Sequence, residues 1–114
     1  MDFKTIAGNL GLDEEDIVEV AQLFIQTAPG ELEKLAQAQR SMDARLAAEA
    51  AHSIKGSSST LGLDETAKLA QIVVKHGREK DLEGLKSSLP RLIQQLQHTV
   101  ASLNEQIRGR THRS

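Results

Sequence analysis

The apolar residues of this 114-residue chain recur every three or four positions along most of its length. The longest such series lies in the C-terminal third and contains Leu82, Leu85, Leu89, Leu92, Ile93, Leu96, Val100, Leu103 and Ile107. This spacing places apolar side chains on one face of an α-helix, whereas a half-buried strand requires alternating apolar and polar residues. Aromatic residues are almost absent, so the core has to be built from aliphatic side chains and alanine. The sequence therefore predicts an all-α class.

The N-terminal part of the chain contains both helix-start and helix-stop signals. Residues 1–12 are expected to form a short helix or cap that packs Phe3 onto the other helices. Asp13 suits an N-cap, because acidic residues follow it in the first turn. That helix is expected to end near Ala28, since the residue before a proline disfavours helical backbone. A new helix would then begin at Pro29 and continue to about Ser41.

Aspartates also precede the later predicted helices. Asp43 is expected to cap a helix that ends near Leu61, where Gly62 favours termination. A further helix is expected from an N-cap at Asp64 to an end at Gly77.

The last predicted helix is long and opens at Asp81, and Pro90 should bend or break it. The predicted architecture is an antiparallel four-helix bundle with an additional short N-terminal helix or cap. Residues 1–108 would form this single domain, and residues 109–114 would form a flexible basic tail.

Composition and charge exclude several classes of function. The net charge of −2 creates no overall field that would attract nucleic acid, and the basic tail is short and lacks aromatic residues. The chain has no cysteine, which excludes disulfides and thiolate metal sites. His76, His98 and His112 fall on separate predicted elements, so no metal site is expected. The sequence shows no signal peptide or membrane-length apolar run, which predicts a cytoplasmic protein without a membrane partner.

The predicted helix before Gly62 contains the candidate chemistry. At about 100° per residue, its apolar or small residues fall within one sector, which contains Leu46, Ala50, Ile54, Ser57 and Leu61. His52 points roughly the opposite way, and Lys55, Gly56 and Ser59 follow it on the same face.

An imidazole held out in water on a rigid helix suits a phosphoryl acceptor. A free imidazole has a pKa of about 6.5, so its neutral, nucleophilic form is available near pH 7. Lys55 would place an ammonium group near the phosphoryl oxygens. Gly56 leaves the approach to His52 open, at a cost in helix stability of about 1 kcal/mol. From spacing alone, a surface histidine without a role is an equally good interpretation.

The motif His52-x-x-Lys55-Gly56-Ser57-Ser58-x-x-Leu61-Gly62 closely resembles the signature of histidine-containing phosphotransfer (HPt) domains. The resemblance extends over most of the chain in helix order and apolar spacing, from about residue 10 to about residue 103. It implies that His52 is the phosphorylation site, through Nε2, that Lys55 stabilises the phosphoryl group, and that Gly56 provides access for the partner. It also implies a monomer whose partners are receiver domains of response regulators or hybrid sensor kinases. No cofactor is implied for this chain, because the Mg²⁺ site belongs to the receiver.

The resemblance also implies accessory residues and shows one departure. Relatives often have a Glu or Gln on the next helix that orients the imidazole, and Val74 occupies that position here. Valine cannot hydrogen-bond Nδ1, so ring orientation would depend on water, on Gln71 or on Lys75. Lys75 and Arg78 are candidates to bind phosphate or the partner, with ordinary solvated charge as the alternative. Ser59 is a candidate to hydrogen-bond a phosphoryl oxygen.

The sequence also predicts the location of two further sets of residues. Ser57 and Ser58 are expected to face the core, where each hydroxyl bonds to a carbonyl one turn earlier. In HPt domains the first bundle helix contributes to the surface that docks receivers. The apolar residues considered for that surface are Ile17, Val20, Ala21 and Phe24. Most of them are expected in the core, and one or two at the interface.

These features predict a phosphorelay intermediate of a two-component system, which carries a phosphoryl group on His52 between receiver aspartates. No ATP-binding segment is recognisable, so the domain would be a phosphohistidine carrier more than an enzyme. One alternative is a helical adaptor that binds receivers without being phosphorylated, which Val74 favours. Another is the phosphoacceptor portion of a larger sensor or chemotaxis-type kinase, although a start at Met1 favours an independent chain.

Overall fold

The computed structural model describes the backbone of residues 3–113 and the side chains of residues 3–109. These residues form five α-helices, which are α1 (Phe3–Leu10), α2 (Glu14–Ser41), α3 (Ala44–Thr60), α4 (Asp64–Arg78) and α5 (Leu82–Arg113). The described backbone contains no strand, which confirms the predicted all-α class. The expected N-terminal helix is present as α1, whereas Met1, Asp2 and Ser114 lie outside the described residues.

Two of the predicted aspartate caps close the first turns of their helices. The carboxylate of Asp43 accepts a hydrogen bond from the backbone N–H of Leu46 at 3.0 Å, at the start of α3. The carboxylate of Asp81 accepts one from the backbone N–H of Gly84 at 2.9 Å, at the start of α5. Each bond satisfies a backbone donor that has no partner within the helix.

The turn between α3 and α4 differs from the prediction by one residue. Gly62 follows α3 with a φ of 69°, a left-handed conformation that glycine adopts without strain, so the predicted termination there is confirmed. Leu63 occupies the cap position of α4, and Asp64 is its first helical residue, so Asp64 is not the cap that the sequence predicts. Its negative charge still lies at the positive end of the helix dipole.

Helix α2 continues through Pro29, so the predicted end near Ala28 and the new start at Pro29 are wrong. An interior proline costs about 3 kcal/mol or more, because it removes a backbone hydrogen bond and crowds the preceding turn. The buried residues of α2 lie on one side of the helix before and after the proline, and are Ile17, Ala21, Phe24, Ala28, Leu35 and Ala38. We attribute the continuity of α2 to the packing of this stripe, since one buried large apolar side chain contributes about 1.5–3 kcal/mol.

Helix α5 is also continuous, through Pro90 and as far as Arg113. Of the two effects predicted for Pro90, the break is therefore absent. The backbone of residues 109–113 is helical, where the sequence predicts a flexible tail. The division into a domain over residues 1–108 and a tail stays a prediction.

Helices α2 to α5 pack against one another as sequential neighbours. Helix α2 contacts α3 and α5, and α4 contacts the same two helices. The pairs Thr66–Thr99 and His76–Ser88 each join α4 to α5 by a hydrogen bond of 2.9 Å, so these two helices run in opposite directions. The backbone of helix α1 lies close to α2 and to none of the other described helices.

The core is mainly aliphatic, as the composition requires. Helix α5 contributes Leu85, Leu89, Leu92, Leu96 and Leu103, all of which are buried. Both phenylalanines are buried as well, and the burial of Phe3 confirms that α1 packs against the rest of the domain, where its neighbour is α2. Between α4 and α5 the buried hydroxyls of Thr66 and Thr99 satisfy each other, and Gln95 donates to Thr99 at 3.3 Å.

None of the helices in the described part of the chain is both long enough and apolar enough to span a lipid bilayer.

Candidate functional site

The burial pattern of α3 determines the direction in which His52 points. Ala51, Ile54 and Ser58 are buried on the inner side of the helix. His52 is exposed on the outer side that adjoins α4. The helical spacing therefore predicted correctly that His52 lies outside the core.

A surface recess of about 160 Å³ lies between α3 and α4 beside His52. Its walls are Ala48, Glu49 and His52 from α3 and Arg78 from α4. Arg78, one of the accessory residues predicted from the sequence, is thereby brought next to His52. The recess is open to solvent, so a group carried by a partner protein could enter it.

Close packing of α3 and α4 determines where Arg78 lies. A Cβ atom at Gly77 would lie 2.6 Å from the carbonyl oxygen of Ala44 and 2.8 Å from the Cβ atom of Ala48. The two helices can approach this closely only because Gly77 has no side chain. Arg78 follows Gly77 directly, so this contact places it beside the turn of α3 that contains Ala48 and His52.

The acidic and basic side chains at the recess differ in whether they are paired. Glu49 Oε1 accepts a hydrogen bond from Arg45 Nε at 3.3 Å, so its negative charge is partly balanced on α3. Arg78 has no hydrogen bond or ion pair with another described residue, and neither has Lys55, one turn beyond His52. Arg78 borders the recess beside the imidazole and Lys55 lies one helical turn from it, and neither is paired within the described part of the chain, so together they favour an anionic group at this position.

The other predicted site residues do not line the recess. Lys55 is half-buried, whereas Gly56 is exposed, and a Cβ atom at Gly56 would meet nothing within 4 Å. Ser59, Gln71 and Lys75 are exposed and are not among the walls of the recess.

Val74 is 2% exposed and belongs to the core, so it places no polar group on the surface of α4. Its neighbours on the outer side of α4, Lys75 and Arg78, are exposed. Arg78 is thus the α4 residue that reaches the recess.

The two serines that follow the glycine behave differently from each other. The Ser57 hydroxyl donates to the carbonyl oxygens of Ser53 and Ile54 at 3.2 Å, as predicted. Ser58 is fully buried, and its hydroxyl has no hydrogen-bond partner, so the predicted bond to an earlier carbonyl is absent. The Ser53 hydroxyl donates to Glu31 Oε1 at 3.4 Å and links α3 to α2.

The apolar residues considered for a docking surface lie mostly in the core. Ile17, Ala21 and Phe24 are buried, and Val20 is half-buried. The exposed apolar residue on this part of α2 is Leu23, at 58% exposure, which lies off the apolar stripe and was not considered from the sequence.

Ala48 and Glu49 also form walls of the recess, although neither is among the site residues predicted from the sequence. The signal was present, because positions three and four residues before His52 share its side of a helix. The register between α3 and α4, which places Arg78 there, has no comparable signal in the sequence.

The fold and the site together define an α-helical domain that presents an exposed histidine at a recess bordered by Arg78. A family model described as the Hpt domain matches residues 19–106. Because this match covers most of the chain, the protein belongs to the Hpt domain family. Hpt domains act in phosphotransfer within two-component signalling and interact with receiver domains. Comparisons with curated proteins and with solved structures found no match.

Proposed function

We propose that this protein is a phosphorelay intermediate, in which His52 accepts a phosphoryl group from an aspartate of one receiver domain and delivers it to another. The observation that carries the proposal is the exposure of His52 at a recess that it shares with Arg78. Membership in the Hpt domain family supports the same conclusion. In this proposal the protein works as a cytoplasmic monomer without a cofactor of its own.

The proposed step is a displacement at phosphorus. The lone pair on Nε2 of His52 forms the new N–P bond while the P–O bond to the donor aspartate breaks, and the carboxylate leaves with that electron pair. The imidazole keeps its proton on Nδ1 and becomes positively charged. The same events in reverse transfer the phosphoryl group to a second receiver. Mg²⁺ and the remaining catalytic groups belong to the receiver domain.

The residues around His52 have distinct proposed roles. Arg78 and Lys55 neutralise negative charge on the phosphoryl oxygens, since neither has a hydrogen-bond or ion-pair partner among residues 3–109. Gly56 lets the receiver approach, because a side chain there would project into open space beside His52. Ser59, Gln71 and Lys75 are assigned accessory contacts with the partner, because they are exposed but outside the recess.

We infer that α2 to α5 function as an antiparallel four-helix bundle, with α1 as a cap on α2. The mutual contacts of these four helices and the opposite directions of α4 and α5 support this inference. Such a frame keeps His52 and Arg78 at a fixed separation, so little reorganisation is needed when a receiver docks.

Incubation with phosphorylated receiver domains tests the proposal. Wild-type protein is expected to acquire a phosphate that is labile in acid and stable in base, and His52→Gln is expected to abolish it. His98→Gln is a matched control, because His98 is also exposed but lies on α5 outside the recess. Phosphate that persists in His52→Gln would refute the assignment.

A receiver-binding adaptor that is never phosphorylated is the second candidate. The burial of Val74 favours it, because no polar group of α4 is then available at that position to orient the ring. Binding without transfer, with several cognate phosphorylated receivers, would establish this function instead.

A further inference from the structure

A side chain that accepts a hydrogen bond from Nδ1–H of His52 would favour the phosphoryl-transfer step more than orientation of the exposed ring by water alone would. Nε2 can attack phosphorus only when its lone pair is free, so the neutral ring has to carry its proton on Nδ1. Among the side chains of the recess, Ala48 has no polar atom and Arg78 can only donate. Val74 cannot accept either. Glu49 is therefore the acceptor that the described part of the chain offers within the recess.

Glu49 is also placed suitably along α3. It precedes His52 by three residues, a separation that puts side chains next to each other on a helix surface, with Cβ atoms about 5–6 Å apart. Arg45, four residues before Glu49, donates to its Oε1 at 3.3 Å and holds the carboxylate on this side of the helix. Arg45, Glu49 and His52 thus follow one another along the outer face of α3.

We propose that Glu49 is a positioning residue that accepts the Nδ1–H of His52 and stabilises the positive charge that develops on the ring. The inference rests on the proposed phosphotransfer function. As the N–P bond forms and the aspartyl carboxylate departs, the proton stays on Nδ1 and the carboxylate of Glu49 faces the new imidazolium charge. The step needs no additional reactant. Arg45 limits the repulsion between Glu49 and the phosphoryl oxygens, while Arg78 attracts those oxygens from the opposite wall.

The ring tautomer of unphosphorylated His52 provides a direct test. Long-range ¹H–¹⁵N NMR spectra distinguish Nδ1–H from Nε2–H, and Glu49→Ala is expected to lower the ratio of Nδ1–H to Nε2–H about two- to fivefold, the range of an exposed charged pair. Glu49→Gln is expected to retain most of the Nδ1–H form, because the amide oxygen also accepts. The control is Glu33→Ala, which removes an exposed carboxylate that pairs with Arg40 on α2 and is expected to leave the ratio unchanged.

Transfer kinetics supply the second measurement. Glu49→Ala is expected to slow phosphorylation of His52 about two- to fivefold, and Glu49→Gln is expected to slow it less, since orientation is kept and only the charge is lost. Circular dichroism verifies that each variant is folded.

An unchanged tautomer ratio in Glu49→Ala would overturn the role of Glu49. This outcome is separate from failure of the proposed function, because the tautomer is measured without phosphate. A wild-type protein that takes no phosphate from any receiver would instead overturn the phosphotransfer function, and with it the charge-stabilising role.

Discussion

Replacement of Gly77 by alanine tests whether the contact between α3 and α4 sets the geometry of the site. The added methyl group would lie 2.6 Å from the carbonyl oxygen of Ala44 and 2.8 Å from the Cβ atom of Ala48. Both obstacles are backbone or directly attached to it, so a rotamer change cannot relieve the overlap and the helices have to separate. Overpacking of this kind costs about 1–3 kcal/mol, and the backbone clash favours the upper end. The greater helix propensity of alanine returns about 1 kcal/mol. The expected net loss of stability is therefore about 2 kcal/mol.

Urea denaturation, monitored by circular dichroism, measures this loss of stability. It should appear as a lower denaturation midpoint, with an unchanged dependence of the unfolding free energy on urea concentration. Gly56→Ala is the matched control, because it makes the same chemical change on α3 where a Cβ atom meets nothing within 4 Å. That control is expected to gain about 1 kcal/mol from helix propensity alone. The two variants should thus shift the midpoint in opposite directions. A Gly77→Ala protein as stable as wild type would refute the argument that this contact fixes the separation of α3 and α4.

Substitutions at three other places in the structure provide separate tests. Ser58→Ala removes a buried hydroxyl that has no hydrogen-bond partner in the described structure, and it is expected to raise the free energy of unfolding by about 1 kcal/mol in urea titrations. A loss of stability would instead show that this hydroxyl is hydrogen-bonded. Thr99→Val leaves the hydroxyl of Thr66 without its main partner and is expected to cost about 1–3 kcal/mol. The double variant with Thr66→Val should recover much of that loss, and simple additivity of the two losses would contradict the pairing. Arg78→Ala is expected to slow phosphoryl transfer to His52 about two- to fivefold and to weaken the dependence of the transfer rate on salt concentration. An unchanged salt dependence in stopped-flow measurements would argue against a role for the charge of Arg78.

The part of the site that lies on one helix was predictable from sequence. The apolar periodicity alone predicts that Ile54 faces the core and His52 faces solvent, because an α-helix has 3.6 residues per turn. The same rule extends to Glu49, which was overlooked although it lies three residues before His52.

The part of the site that depends on two helices was not predictable in the same way. The proximity of Arg78 to His52 follows from the close approach at Gly77, and a glycine in a helical pattern can equally be a helix terminus. The local rule also failed at Pro29. The residue before a proline disfavours helical backbone, but apolar residues of α2 are buried both before and after Pro29, and their packing outweighs that preference. Likewise, the position of Ser58 on α3 does not by itself predict that its buried hydroxyl lacks a hydrogen bond to the preceding turn.

The attachment of α1 to α2 alone has a consequence for dynamics. Since the backbone of α1 lies close to α2 and to none of the other described helices, α1 can separate from α2 without displacing α3 and α4, which form the recess beside His52. Local opening of this type needs much less free energy than unfolding of the whole domain. Backbone amides of α1 should then exchange with deuterated solvent faster than those of α3. A spectroscopic label attached near Phe3 would report this local opening without affecting phosphoryl transfer at His52.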